Sequence, residues 1–165
     1  MTDRTVITAN FAVVDAALAA APDVVIEEMV PAVIESQLLI EREVRERTPT
    51  SGAATLRDSI GALPVSISET EVSGVVGTSL AYALPVELGA RPHRPPVEPL
   101  VDWVRRKLGK GGKEGRAIAF AIAGKIAREG TPAAHMFSEG LAATQKQVHE
   151  ILAAAAARGL ERVSQ

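Results

Sequence analysis

Three histidines, His93, His135 and His149, and the absence of cysteine set the first limits on what chemistry this chain can do. No two of the histidines stand at an H-x₃-H or H-E-x-x-H spacing, which would place two imidazoles on one helix face toward a metal ion. Without cysteine there are no thiolate nucleophiles, disulfides or Cys-ligated zinc, and the chain is compatible with a reducing compartment. A nucleophilic triad can be drawn from Ser59, His93 and Glu87, but no G-x-S-x-G elbow surrounds Ser59 to expose its hydroxyl on a strained turn. The plainer reading makes Ser59 a loop or strand serine and Glu87 a turn-forming residue. The run GKGGKEGR falls short of G-x-x-x-x-G-K-[ST] and follows no strand, so it reads as a Gly-rich loop (109–113) between helices rather than a phosphate cradle. No catalytic residue, metal or cofactor is expected, and the chain reads as a non-enzyme.

Charge offers three further candidates. Between Arg105 and Arg116 six cations (Arg105, Arg106, Lys107, Lys110, Lys113, Arg116) face one acid, Glu114. This is either a solvated loop or a contact to DNA phosphates or an acidic protein surface, with Lys110, Lys113 and Arg116 as the DNA-facing set. A formal net charge of −2 argues against a general polyanion binder. No aromatic lies inside the run to stack on single-stranded bases. In EREVRERT, Glu41 with Arg45 and Glu43 with Arg47 stand four apart on one helix face, either as a solvated helix end or as a contact to a neighbouring subunit. The Pro-rich segment 84–99, punctuated by Arg91, His93 and Arg94, is either a connector along its own domain or a docking arm that loses little conformational entropy on binding.

The elements that must position these groups form a single domain of 165 residues, 47% hydrophobic but only 3% aromatic, so its core has to be built by close approach of small side chains. Residues 1–22 lack the basic n-region of a signal peptide and read as an N-terminal arm, with a short strand or extended stretch at 5–14 and a weak helix at 16–21. No stretch reaches the ~20 apolar residues of a membrane span, and a soluble product is expected. Ile26, Val30, Val33, Ile40 and Val44 recur at helical spacing from Asp23 onward, with Gln37 as the one polar interruption. Pro31 either opens the main helix or kinks a longer one, and Thr48-Pro49 ends it. Leu63, Val65 and Ile67, then Val72 and Val76, alternate as a β-hairpin that must lie on the long helix, join a larger sheet, or do both. The prolines from Pro85 to Pro99 predict an extended connection. A helix carrying Trp103 on a face with Val104 follows, then one over about 114–129 centred on Ile118, Ile122 and Ile126. The last, from near Ala134 to about Val163, has Phe137, Leu141, Val148, Ile151, Leu152 and Ala155 as its buried stripe. The expected class is α+β: a long N-terminal helix packed on a small antiparallel β-sheet, with two or three C-terminal helices.

Taken in order, Leu56, Arg57, Ser59 and Ile60 in L-R-x-S-I, then Gly77-Thr78, Tyr82-Ala83, Glu87-x-Gly89, the Pro-rich segment and Trp103 resemble the tail-completion family of tailed bacteriophages, also described as minor tail protein Z-like or neck proteins. The resemblance covers roughly residues 24 to 150. Its loop is longer here, with Ala53 and Ala54 between Gly52 and Thr55. The resemblance implies a structural virion protein of a siphophage-like particle (phage, prophage or gene transfer agent) at the head-tail junction, assembled in the bacterial cytoplasm. It implies a homo-oligomeric ring, commonly a hexamer, meeting neighbouring neck and tail proteins, with double-stranded DNA passing through the lumen without sequence-specific binding and no membrane. Arg57, Tyr82, Glu87, Arg91, His93 and Arg94 are then candidates for the subunit or partner interface. Two rival readings are a DNA-binding accessory or packaging protein and, more remotely, a small hydrolase built on Ser59, His93 and Glu87.

Overall fold

A computed structural model describes residues 22–50, 55–68 and 71–163; the expectations for the N-terminal arm lie outside the described residues. The long helix is α1, Pro22–Arg47. Pro31 sits in its interior on the solvent side, where water can satisfy the carbonyl left without a partner by the missing N–H. Past Arg47, the Thr48 hydroxyl donates to Val44 O at 2.6 Å and Pro49 prevents another turn.

Helix α1 packs antiparallel on the last helix, α6 (Met136–Val163). A Cβ on Gly140 would stand 2.7 Å from Val44 Cγ2 and 3.1 Å from Val44 N, and one on Gly159 would stand 3.0 Å from Val25 Cα. The two contacts are the same number of residues apart on each helix, so the pair stays close along its length. Val25, Met29 and Val33 interlock with Val148, Leu152 and Ala155 between them. This is the core of small side chains that the composition calls for. Gly140, Thr144, Ala156 and Gly159 join the buried stripe, whereas Leu141 and Ile151 are only half-buried. Ser36 and Thr144 are buried without loss because their hydroxyls donate to Ala32 O (2.8 Å) and Gly140 O (3.0 Å) of their own helices.

A short helix α2 (Thr55–Ser59) leads into the hairpin, in which β1 (Gly61–Ala62) pairs with β4 (Val76–Gly77) and β2 (Ser66–Ile67) with β3 (Val72–Ser73). Between the two ladders Leu63 N still donates to Val75 O at 2.8 Å, after which Pro64 and Val65 face Gly74 alone. That extra residue is a β-bulge, placed where proline has no donor to contribute. Gly74 lies so close to α1 that a Cβ there would be 2.7 Å from both Gln37 Cδ and Val33 Cγ1. Gln37 accounts for its place in the apolar pattern: its Nε2 donates to Leu63 O (2.9 Å) and Val75 O (3.0 Å), tying both strands to the helix at the bulge. Among the described residues the hairpin joins no larger sheet, and Ile67, expected to alternate inward, is exposed because β2 extends past the support of α1.

The Glu41–Arg45 pair is more than the solvated helix end of the plainer expectation. Arg45 donates to Ile60 O at 2.9 and 2.6 Å and pairs with Glu41 at 2.7 Å, while Glu41 accepts from Ala62 N at 2.8 Å, so the pair pins the start of β1 to α1. A second charged group, Arg158 and Arg162 with Glu28, ties the opposite end of α1 to α6 at 3.1 and 2.8 Å. The hydrogen bond from Arg158, followed by that from Arg162, holds the Glu28 carboxyl below the ordinary glutamate range; Arg47 does the same for Glu43. A carboxyl lowered on folding adds stability above its unfolded pKa and loses it as pH falls through the folded value. Glu28→Gln should therefore flatten the pH dependence of the unfolding midpoint below about pH 4.5, measured by denaturant titration between neutral and acid pH.

Helices α4 (Val97–Leu108) and α5 (Gly112–Glu129) form a second hairpin, packing on each other and only marginally on the other described elements. Its seam buries Val104, Gly115 and Ala119, and Trp103 is half-buried on α4. The isoleucines expected to centre α5 are half-buried flanks of this narrow seam. Gly115 admits the Lys110 carbonyl, which a Cβ there would meet at 2.5 Å, and with Ala119 it leaves the seam to Val104, with Ile118, Ile122 and Ile126 beside it.

Candidate interaction surfaces

The segment expected to be extended from Leu84 starts as a short helix, α3 (Ala83–Leu88). Pro85 fits in its first turn, where a backbone N–H would have no intrahelical partner anyway. The helix turns Ala83 and Glu87 inward and leaves Leu84 and Leu88 exposed.

Glu87 is 5% exposed, and its carboxylate closes the N-terminus of α6. Oε2 accepts from Phe137 N at 2.9 Å, and Oε1 accepts from Ser138 N at 3.0 Å and from Ser138 Oγ at 2.9 Å. A negative charge at this end of a long helix is favoured both by the free N–H groups and by the helix dipole. The backbones on either side are zipped together: Ala134 N donates to Val86 O (2.9 Å), His135 N to Glu87 O (3.1 Å), and Ala90 and Thr131 exchange both N–H···O bonds (3.0 and 2.9 Å). Gly89 (φ 75°) and Gly130 (φ 79°) permit this approach; a Cβ on Gly89 would stand 2.7 Å from Thr131 O. Glu87 thus presents no surface to a partner, which removes it from the interface set.

Leu56, Ser59, Ile60, Thr78, Ala83, Glu87 and Gly89 of the ordered motif set converge on this part of the fold, while Trp103 lies apart on α4. Leu56, Ile60 and Ala83 are buried together with Val44, Val76, Met136 and Phe137. Ser59 Oγ donates to Leu56 O (2.7 Å) and shares a hydrogen bond with Thr78 Oγ1 (2.7 Å). These partners leave the Ser59–His93–Glu87 triad without geometry, because His93 Nδ1 meets Arg91 O (2.9 Å) and no hydrogen bond joins any two of the three side chains.

Arg57 and Tyr82 are exposed beside α2 and α3, and Arg91, His93 and Arg94 are exposed along the 90–96 connection. In the basic run, Lys110 pairs with Glu114 (2.9 Å), Arg116 with Glu98 (3.1 Å) and Arg105 with Asp102 (2.9 Å), all on the surface. Lys113 has no ion pair among the described residues, so the DNA-facing set is largely neutralised within its own hairpin. Two features went unread in the sequence: the exposed apolar pair Ile34 and Leu38 on α1, and exposed Phe120 on α5. The available signal was that these residues fall outside the buried period of their helices.

Among the described residues no group of three or more His, Asp or Glu could hold a metal ion, and no helix is long and apolar enough to cross a membrane. No family model, curated protein or solved structure matches the chain.

Proposed function

We propose that the chain is a structural component of a siphophage-like particle, a ring subunit at the head-tail junction that completes or joins the tail around the DNA passage. One observation carries this reading: most residues of the ordered motif set between Leu56 and Gly89, although dispersed along the sequence, act as one mechanical unit. Leu56, Ile60 and Ala83 share a core, Ser59 holds Thr78, and Glu87 with Gly89 locks α3 to the start of α6. Residues committed in this way build a scaffold and are unavailable for turnover. The surfaces left over are contact surfaces: the exposed Arg91–Arg94 connection and the projecting α4–α5 hairpin.

Tailed particles released by the source bacterium provide the test. Mass spectrometry should find the chain in purified particles, and image analysis should find it in a closed ring at the neck. Absence from mature particles overturns the proposal. Arg91→Ala with Arg94→Ala, at exposed side chains that have no hydrogen bond or ion pair among the described residues, should leave circular dichroism unchanged while free heads and tails accumulate. Normal joining by that variant excludes the connection as a contact site.

A further inference from the structure

On α5, Lys113, Ala117, Phe120 and Gly124 fall on one stripe, with Arg128 at one margin and Arg116, already paired with Glu98, at the other. The stripe lies opposite the Gly115–Ala119 seam that packs on α4, and Phe120 is 54% exposed. The chain has three phenylalanines and one tryptophan, so an aromatic left on the surface is costly in a protein short of large apolar groups. On the outward face of α1, Pro31, Ile34 (44% exposed) and Leu38 (57% exposed) form a second apolar stripe, flanked by Glu35 and Glu46. Neither glutamate has an ion pair among the described residues, whereas the two cations farther along this side of the helix, Arg42 and Arg45, lie against Glu43 at 3.6 Å and Glu41 at 2.7 Å. The two faces are alike in form and opposite in sign: an apolar centre with basic margins and an apolar centre with acidic margins. They do not pack on each other within one chain.

We propose that the α5 face of one copy docks on the α1 face of a second copy, with Phe120 seated between Ile34 and Leu38 and Lys113 brought to Glu35. The complementary charge selects this pairing over α1 on α1 or α5 on α5, each of which would set like charges together. Because the two patches differ, the contact is heterologous, so each copy offers one free face of each kind and the assembly either closes as a ring or continues as a filament. The contact supplies the subunit interface of the ring proposed above, and only the closure of the ring rests on that reading.

Cysteine pairing tests this in a chain with no native cysteine. Leu38→Cys and Phe120→Cys are surface changes, with circular dichroism as the check on folding. Equimolar mixtures of the two single variants under mild oxidation should give the mixed disulfide well in excess of either homodimer. A chain bearing both changes should give a ladder or a closed ring. Glu35→Arg should slow mixed-disulfide formation about tenfold, and Lys113→Glu in the other partner should restore it. Absence of the mixed product at high protein concentration overturns the proposal. So does predominant Leu38→Cys homodimer, which would mark an α1–α1 contact, or duplex DNA binding abolished by Lys113→Glu with no crosslink, which would give the α5 face to nucleic acid. Crosslinking by a chain absent from virions would leave the contact standing and sink the virion role; a neck ring lacking this crosslink would do the reverse.

Discussion

Glu87→Ala should lower the unfolding free energy by about 3 kcal/mol, seen as a fall in the denaturant midpoint with little change in slope. The side chain is buried and accepts three hydrogen bonds at the start of α6. Its removal leaves the buried Phe137 N without an acceptor and Ser138 N, on an exposed residue, to water, and a buried unsatisfied donor costs about 1–3 kcal/mol. The loss of a negative charge from the helix N-terminus adds to this. Against a typical total of about 5–15 kcal/mol the change is large. Glu87→Gln should cost less, about 1–2 kcal/mol, because one carbonyl oxygen remains to accept while the new NH₂ faces existing donors. A variant as stable as the parent would mean that the carboxylate does not cap α6.

Gly140→Leu should destabilise the protein by about 3 kcal/mol, since the new side chain has to displace α1 from α6 at their closest contact. Even the first carbon of that side chain would stand 2.7 Å from Val44 Cγ2 and 3.1 Å from the Val44 backbone nitrogen, which cannot swing aside as a side chain end would. Helix propensity alone predicts the opposite sign, because replacing an interior helical glycine usually gains up to about 1 kcal/mol. Gly124→Ala on α5 isolates that gain: among the described residues a Cβ there would meet only Arg128 Nη1, at 3.6 Å, an ordinary contact with a flexible group, so this change should stabilise slightly. Thermal or denaturant unfolding of the two variants should thus move in opposite directions. Movement in the same direction would show that the α1–α6 contact at Gly140 is looser than described.

Helix α1, the hairpin and α4 to α6 were legible in the residues, because hydrophobic period, proline and glycine act over a few neighbouring positions. The α+β class followed from those elements, and the 3% aromatic content foretold a core of small groups, which the α1–α6 pair supplies. What period could not reveal was which face of each element would find a partner. Gln37 read as a flaw in an apolar stripe until two strand carbonyls were found over it. The Glu41–Arg45 pair read as helix surface because four-residue spacing says nothing about a strand arriving from twenty residues away. Glu87 was placed at an interface, yet its three hydrogen-bond donors lie some fifty positions downstream and reach it only when α3 and α6 are brought together. Isoleucines expected at the centre of α5 are its half-buried flanks, while Gly115 and Ala119 are buried, Gly115 because the Lys110 carbonyl of the preceding loop lies where its side chain would be. Phe120, Ile34 and Leu38 became candidates for contact only once burial had been apportioned. An apolar residue looks the same in sequence whether its partner is in its own core or in another molecule, and only the packed chain shows which partner is missing.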